Sequence, residues 1–244
     1  MAVILVTHGI PGEGFRILSD HQVIIPDVLH AFTEEELLQY APQCDAIVAG
    51  GRVSAQVIQA AKKLKIIANY GAGYDAVDVN AAREAGVPVT NIPETVTQDT
   101  AELALGLMLS VSRRIGEMNL RMRKEAPQIL FGMGRYMGQS LRGKTLGIIG
   151  CGRIGSRVAE MAKALGMKVI VTGRTVKPEL EEKFGVKYVT MDELLAQSDF
   201  VSLHTPALGD KPFVDAECIA KMKDGAILIN TSRGKNVDEQ ALLD

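Results

Sequence analysis

The sequence predicts an α/β protein in which parallel sheets are wound with helices on both faces, in two successive units. Three observations carry this expectation. Short β-branched runs alternate with helical stretches along nearly the whole chain, the arrangement that parallel strands and crossover helices require. A glycine-rich turn stands directly between one such run and a helix. Apolar residues make up 47% of the 244 positions, enough to fill one large core or two modest ones.

In the first unit, Val3–Val6 reads as a strand, residues 23–25 as a weaker one, and residues 46–49, 65–68 and 88–91 as three more. Thr33 with Glu36 three residues on is a capping box, so a helix opens there, and Ser54 caps another that runs to about residue 63. Residues 100–115 are apolar almost all round, and a helix without a polar face is expected to be buried, between domains or against another subunit. The segment 121–144 then reads as irregular and basic, with Phe131 and Tyr136 among its charges, and is expected to form an arm over a domain or a partner subunit. The second unit alternates again. Strands are expected at 144–149, 167–172, 187–189, 200–204 and 226–230, and helices at 153–165, 179–184, 191–197, 215–222 and 237–244.

Composition narrows the function. With 27 basic and 29 acidic side chains there is no field to neutralise phosphates, so no nucleic-acid partner is expected. Cys44, Cys151 and Cys218 are scattered without a CxxC pair, which argues against a disulfide framework or a metal site and for a reducing, cytoplasmic setting. The longest strongly apolar run, 103–111, is too short to cross a membrane.

The chemistry enters at Gly150-Cys151-Gly152-Arg153-Ile154-Gly155, a GxGxxG that follows the strand ending at Ile149 and opens a helix. Gly150 allows a tight turn, Gly152 lets a pyrophosphate approach the backbone, and Gly155 lets helix and strand pack closely. The helix N-terminus, where Arg153 and Ile154 stand, turns N–H groups and a positive dipole end toward phosphates. This context assigns a dinucleotide site. The next strand ends in Gly173-Arg174-Thr175 without the acidic residue that binds the ribose hydroxyls of NAD. Arg174 and Thr175 suit a 2′-phosphate instead, so NADP is the preferred form of NAD(P).

These segments together resemble the D-isomer-specific 2-hydroxyacid dehydrogenase family, which includes glyoxylate/hydroxypyruvate reductases and D-lactate and D-3-phosphoglycerate dehydrogenases. The resemblance spans essentially the whole chain and is strongest over 141–155, 198–206 and 222–234, with landmarks at 71–75 and 100–102. It implies a flavodoxin-like substrate domain over residues 1–98 and a Rossmann cofactor domain over 99–244, with the active site in the cleft between the two domains. A homodimer is expected from the apolar helix over 100–115 and the arm after it. The resemblance also implies hydride transfer between NAD(P)H and a small 2-oxo acid. Arg233, in Asn230-Thr231-Ser232-Arg233-Gly234, would be the catalytic arginine that grips the substrate carboxylate. Main-chain amides at Ala72 and Gly73 would complete that site, two successive amides forming an anion-binding nest. Thr205 and Pro206 would line the adenosine side of the cofactor, and Thr231 and Ser232 the nicotinamide side.

The family's proton-donating histidine and its glutamate partner lie beyond the arginine motif, and the 11 residues from Gly234 onward contain no histidine. His8, His21, His30 and His204 lack the family context. The chain therefore reads as a fragment whose C-terminal part is missing, expected to bind cofactor weakly and turn over little. The alternative from another class is an NAD(P)-sensing binding protein, similar to the corepressors that resemble this family.

Overall fold

The structure, a computed structural model, describes residues 1–125, 129, 132, 134–207, 209 and 211–243. The chain divides into two units, Met1–Val96 and Thr97–Asp244. Each is an α/β unit on a five-stranded, all-parallel sheet, as the alternation of strands and helices requires.

In unit 1 the strands β1 (Val3–Val6), β2 (Gln22–Ile24), β3 (Ala46–Ala49), β4 (Ile66–Asn69) and β5 (Val89–Thr90) lie in the order β2-β1-β3-β4-β5. Leu5, Ile47 and Ile67 are fully buried in its core. Helix α1 (Glu34–Tyr40) begins at the expected capping box: Thr33 Oγ1 accepts from the Glu36 N–H, and the Glu36 carboxylate accepts from the Thr33 N–H. Helix α2 (Ala55–Ala60) is capped by Ser54 but stops short of residue 63, where the sequence placed its end. Ala61 leaves helical geometry with ψ 67°, and the tight turn after it drops Leu64 into the core. Helix α3 (Val79–Glu84) was not read from the sequence; Asp78 caps it through the Ala81 N–H.

Unit 2 opens with α4 (Thr97–Ser112) and α5 (Ile115–Glu125), separated at Arg114, whose φ of 55° breaks the helix. The expected helix over 100–115 thus starts earlier and ends earlier. Complete burial is also corrected: Ala101, Ala104, Met108 and Ser112 are buried, whereas Leu103, Leu107 and Val111 on the other side are exposed. Small residues on the inner face let α4 pack against α6 (Arg153–Ala164), and the outer face is exposed at Leu103, Leu107 and Val111.

Residues 121–125, expected to be irregular, continue α5. Glu117 lies between Arg114 and Arg121 at 2.6 and 3.0 Å, and their hydrogen bonds pull its carboxyl down to about 2. The Arg121 guanidinium also stands over the Tyr136 ring at 5.3 Å. Phe131 and Asp244 lie outside the described residues.

The sheet of unit 2 has the order β10-β9-β6-β7-β8, from β6 (Thr145–Ile149), β7 (Lys168–Thr172), β8 (Lys187–Tyr188), β9 (Phe200–Leu203) and β10 (Ile227–Asn230). Helices α7 (Pro178–Phe184), α8 (Met191–Gln197), α9 (Ala216–Ala220) and α10 (Glu239–Leu243) complete the unit, each within a few residues of its expected place. The central strand β6 pairs with β7 on one side and β9 on the other, so the turns after these strands emerge at the same edge. Among the described residues no helix is long and apolar enough to cross a membrane.

Gly147 in β6 is a further constraint, because a Cβ there would stand 2.2 Å from Ser198 Oγ and 2.5 Å from Leu194 Cδ2. Gly147→Ala is expected to lower stability by about 1–3 kcal/mol through overpacking, measured by urea denaturation; an unchanged midpoint contradicts this account.

Candidate functional site

At Gly150 and Gly155 the glycine turn is built by contacts that leave no room for a side chain. Gly150 has φ 92°, which favours glycine, and a Cβ on it would lie 2.5 Å from Thr205 Cγ2. Its N–H donates to Thr172 O at the end of β7. A Cβ on Gly155 would approach Gly150 O to 2.2 Å, so only glycine lets α6 press this closely against β6. Around Gly152 a Cβ would meet nothing within 4 Å: the space over the turn is open.

Gly152 is the N-cap of α6, and no side chain caps the helix. The N–H groups of Ile154 and Gly155 find no acceptor among the described residues. An α-helix start with bare amides and a positive dipole end is an anion site. Cys151 within the turn is buried, which pushes its thiol pKa up, and it is neutral there.

Arg174 and Thr175 are exposed just beyond β7, the strand whose last residue holds the Gly150 N–H. The Arg174 guanidinium has no hydrogen bond or ion pair among the described residues.

The turns after β9 and β10 carry Thr205, Pro206, Thr231, Ser232 and Arg233. Asn230 organises the second turn. Its Oδ1 accepts from the Ser232 N–H at 3.0 Å and the Ser232 hydroxyl at 2.7 Å, while its Nδ2 donates to Arg233 O at 2.8 Å. Arg233 is half-buried and donates from Nη1 to Ser232 O at 2.9 Å. The Thr205 and Thr231 hydroxyl oxygens are buried without a hydrogen-bond partner among the described residues. Unspent donors at α6, open space at Gly152 and two orphaned hydroxyls together fit a dinucleotide with polar atoms to share.

In unit 1, the turn after β4 is held by two asparagines. Asn69 Nδ2 donates to Gly71 O at 2.9 Å and Gly73 O at 3.0 Å, and Asn91 Nδ2 donates to Ala72 O at 2.8 Å. With three successive carbonyls tied back, the N–H groups of Ala72 and Gly73 remain without an acceptor among the described residues. The sequence reading named the amides and missed the asparagines that turn them. An asparagine closing a strand beside a glycine turn was the available signal.

His8, His21 and His30 belong to unit 1, and only His204 stands in unit 2. Burial pushes the His204 imidazole down to about 4, and its Nε2 shares a 2.9 Å hydrogen bond with the buried Ser202 hydroxyl. It is neutral at physiological pH. Among the described residues no cluster of His, Cys, Asp or Glu is placed to hold a metal.

Fold and turn geometry define a doubly wound α/β protein of two parallel-sheet units. The model of the D-isomer specific 2-hydroxyacid dehydrogenase family, NAD binding domain, matches residues 105–244. A glyoxylate reductase of Thermococcus litoralis is 40% identical over 247 aligned residues, covering 98% of this chain and 75% of the relative. Among solved structures, the TT0316 protein of Thermus thermophilus is similar with TM-score 0.89 at 37% identity, covering 99% of this chain and 77% of that one. The D-lactate dehydrogenase of Aquifex aeolicus complexed with NAD and lactic acid gives TM-score 0.87 at 30% identity, covering 98% and 72%. The chain belongs to the D-isomer-specific 2-hydroxyacid dehydrogenase family.

The His204 environment sets a pH dependence. Its folded pKa of about 4 is below the ordinary 6.5, so the unfolded chain takes up the proton first as pH falls. The stabilisation is complete above 6.5 and declines between 6.5 and 4, by at most about 1.4 kcal/mol per pH unit. His204→Gln is expected to flatten this limb of the stability curve between pH 6.5 and 5, where carboxylates contribute least; a limb of undiminished slope in that variant refutes the assignment.

Proposed function

We propose that the protein transfers a hydride between NAD(P)H and a small 2-oxo acid, forming the D-2-hydroxy acid. The observation that carries this reading is the uncapped start of α6 above the open face of Gly152. The amides of Ile154 and Gly155, with the helix dipole, bind the pyrophosphate, and Gly150, Gly152, Arg153 and Gly155 shape that turn. Thr205 and Pro206 line the adenosine side, Thr231 and Ser232 the nicotinamide side. The bound nicotinamide supplies the hydride.

Arg233 grips the substrate carboxylate through its planar guanidinium and orients the carbonyl. The Ala72 and Gly73 amides are the carboxylate donors of unit 1. No histidine of the chain is assigned to proton transfer, and His204 is held neutral by burial. Family relatives include a glyoxylate reductase, which supports glyoxylate or hydroxypyruvate as substrate.

NADP is the preferred cofactor, because the unpaired Arg174 and the Thr175 hydroxyl stand where NAD-binding turns carry a carboxylate. The protein acts as a homodimer. Leu103, Leu107 and Val111 repeat at four-residue intervals on α4 and are all exposed, an apolar stripe suited to a second copy. The free thiols of Cys44, Cys151 and Cys218 suit the cytoplasm.

Nicotinamide absorbance with glyoxylate, hydroxypyruvate and other 2-oxo acids tests the reaction. Cofactor binding without oxidation by any of them, also in a chain extended to its relatives' length, favours a sensing protein. Arg233→Gln is expected to weaken 2-oxo acid binding by about a hundredfold, roughly 2.7 kcal/mol, with cofactor affinity kept. Arg174→Asp is expected to cut the ratio of NADPH to NADH affinity by tenfold or more; tighter NADH than NADPH binding by the unaltered protein refutes the NADP preference.

A further inference from the structure

Asn236 belongs to neither the glycine turn nor the arginine turn, yet it is 2% exposed and joins the two site-bearing loops of unit 2. Its Nδ2 donates to Thr205 O after β9 at 3.1 Å and to Ser232 Oγ after β10 at 3.0 Å. The carbonyl of Thr205 only accepts, so the carboxamide orientation is forced. The Ser232 hydroxyl, receiving from Asn236, spends its own proton on Asn230 Oδ1. The Asn236 N–H donates to Arg233 O at 3.1 Å, the same oxygen that Asn230 Nδ2 holds. Finally, Asn236 O accepts from the N–H groups of Phe213 and Val214.

We infer that Asn236 is a positioning residue for the cofactor and substrate loops: its side chain fixes the distance between the Thr205 and Ser232 turns, and its backbone fixes the peptide that carries Arg233. This inference rests on the proposed dehydrogenase reading. The chain of hydrogen bonds has one direction, from the Asn236 carboxamide through Ser232 to Asn230. A carboxylate at position 236 faces the Thr205 carbonyl with no proton to give, and an aliphatic side chain removes both links while keeping the site filled. Either change lets the two turns move independently, through the loss of links to Thr205 and Ser232. A purely structural role lowers stability alone; a positioning role lowers affinity beyond what stability accounts for.

The test measures NADH and NADPH binding by nicotinamide fluorescence, and oxamate binding to the cofactor-loaded chain, for Asn236→Val, Asn236→Asp and the unaltered protein. Val186→Ala, a buried site between α7 and β8, serves as a variant of comparable thermal destabilisation. Both Asn236 variants are expected to raise the cofactor dissociation constant about tenfold and the oxamate constant at least as much, with Val186→Ala within about twofold of the unaltered protein. Unchanged constants in the Asn236 variants overturn the inference, as does a loss in Val186→Ala equal to theirs. An unaltered protein that binds neither nucleotide, also in a chain extended to its relatives' length, overturns the dehydrogenase reading itself, and this inference with it.

Discussion

The architecture of unit 2 depends on one contact, the approach of α6 to β6 at Gly155. With a Cβ there only 2.2 Å from Gly150 O, the helix start can sit against the strand end only as glycine. That closeness keeps the first-turn amides at the sheet edge, where no side chain reaches back to cap them. A helix ordinarily satisfies its first N–H groups with a Ser, Thr, Asp or Asn cap, as α1, α2, α3, α8 and α9 do here. Leaving α6 uncapped forgoes about 0.5–2 kcal/mol of helix stability and keeps its donors for an anion.

The same logic recurs in the turns that carry no helix. Asn69 and Asn91 tie back the carbonyls of residues 71–73, which leaves amides rather than oxygens free in that turn. Asn230 and Asn236 do the corresponding work around Arg233 and Thr205. In each case a short carboxamide donates to main-chain carbonyls that an irregular turn leaves without partners, and Asn230 accepts as well through its Oδ1.

The exposed stripe on α4 has a different origin. The helix packs inward through Ala101, Ala104 and Met108, with Leu109 partly buried beside them, while Leu103, Leu107 and Val111 face outward. These outward aliphatics remain substantially in water in the single chain, and their further burial requires another surface.

Much of this was readable in the sequence, since it depends on neighbours close along the chain. The strand and helix alternation, the capping box at Thr33, the GxGxxG at the end of β6 and the arginine turn at 230–234 are local patterns, set by side-chain periodicity, glycine stereochemistry and capping chemistry. The break at Arg114, the two-sided character of α4 and the early end of α2 were not readable, since each is decided by what packs against the segment. The link from Asn236 to Thr205 spans 31 positions, and that from Asn91 to Ala72 spans 19. Amino-acid order alone determined that a GxGxxG turn opens α6 and that Arg233 follows β10. Only tertiary structure decided which amides and hydroxyls remain unpaired, because a polar group's partners are known only once distant loops have been brought within 3 Å of it.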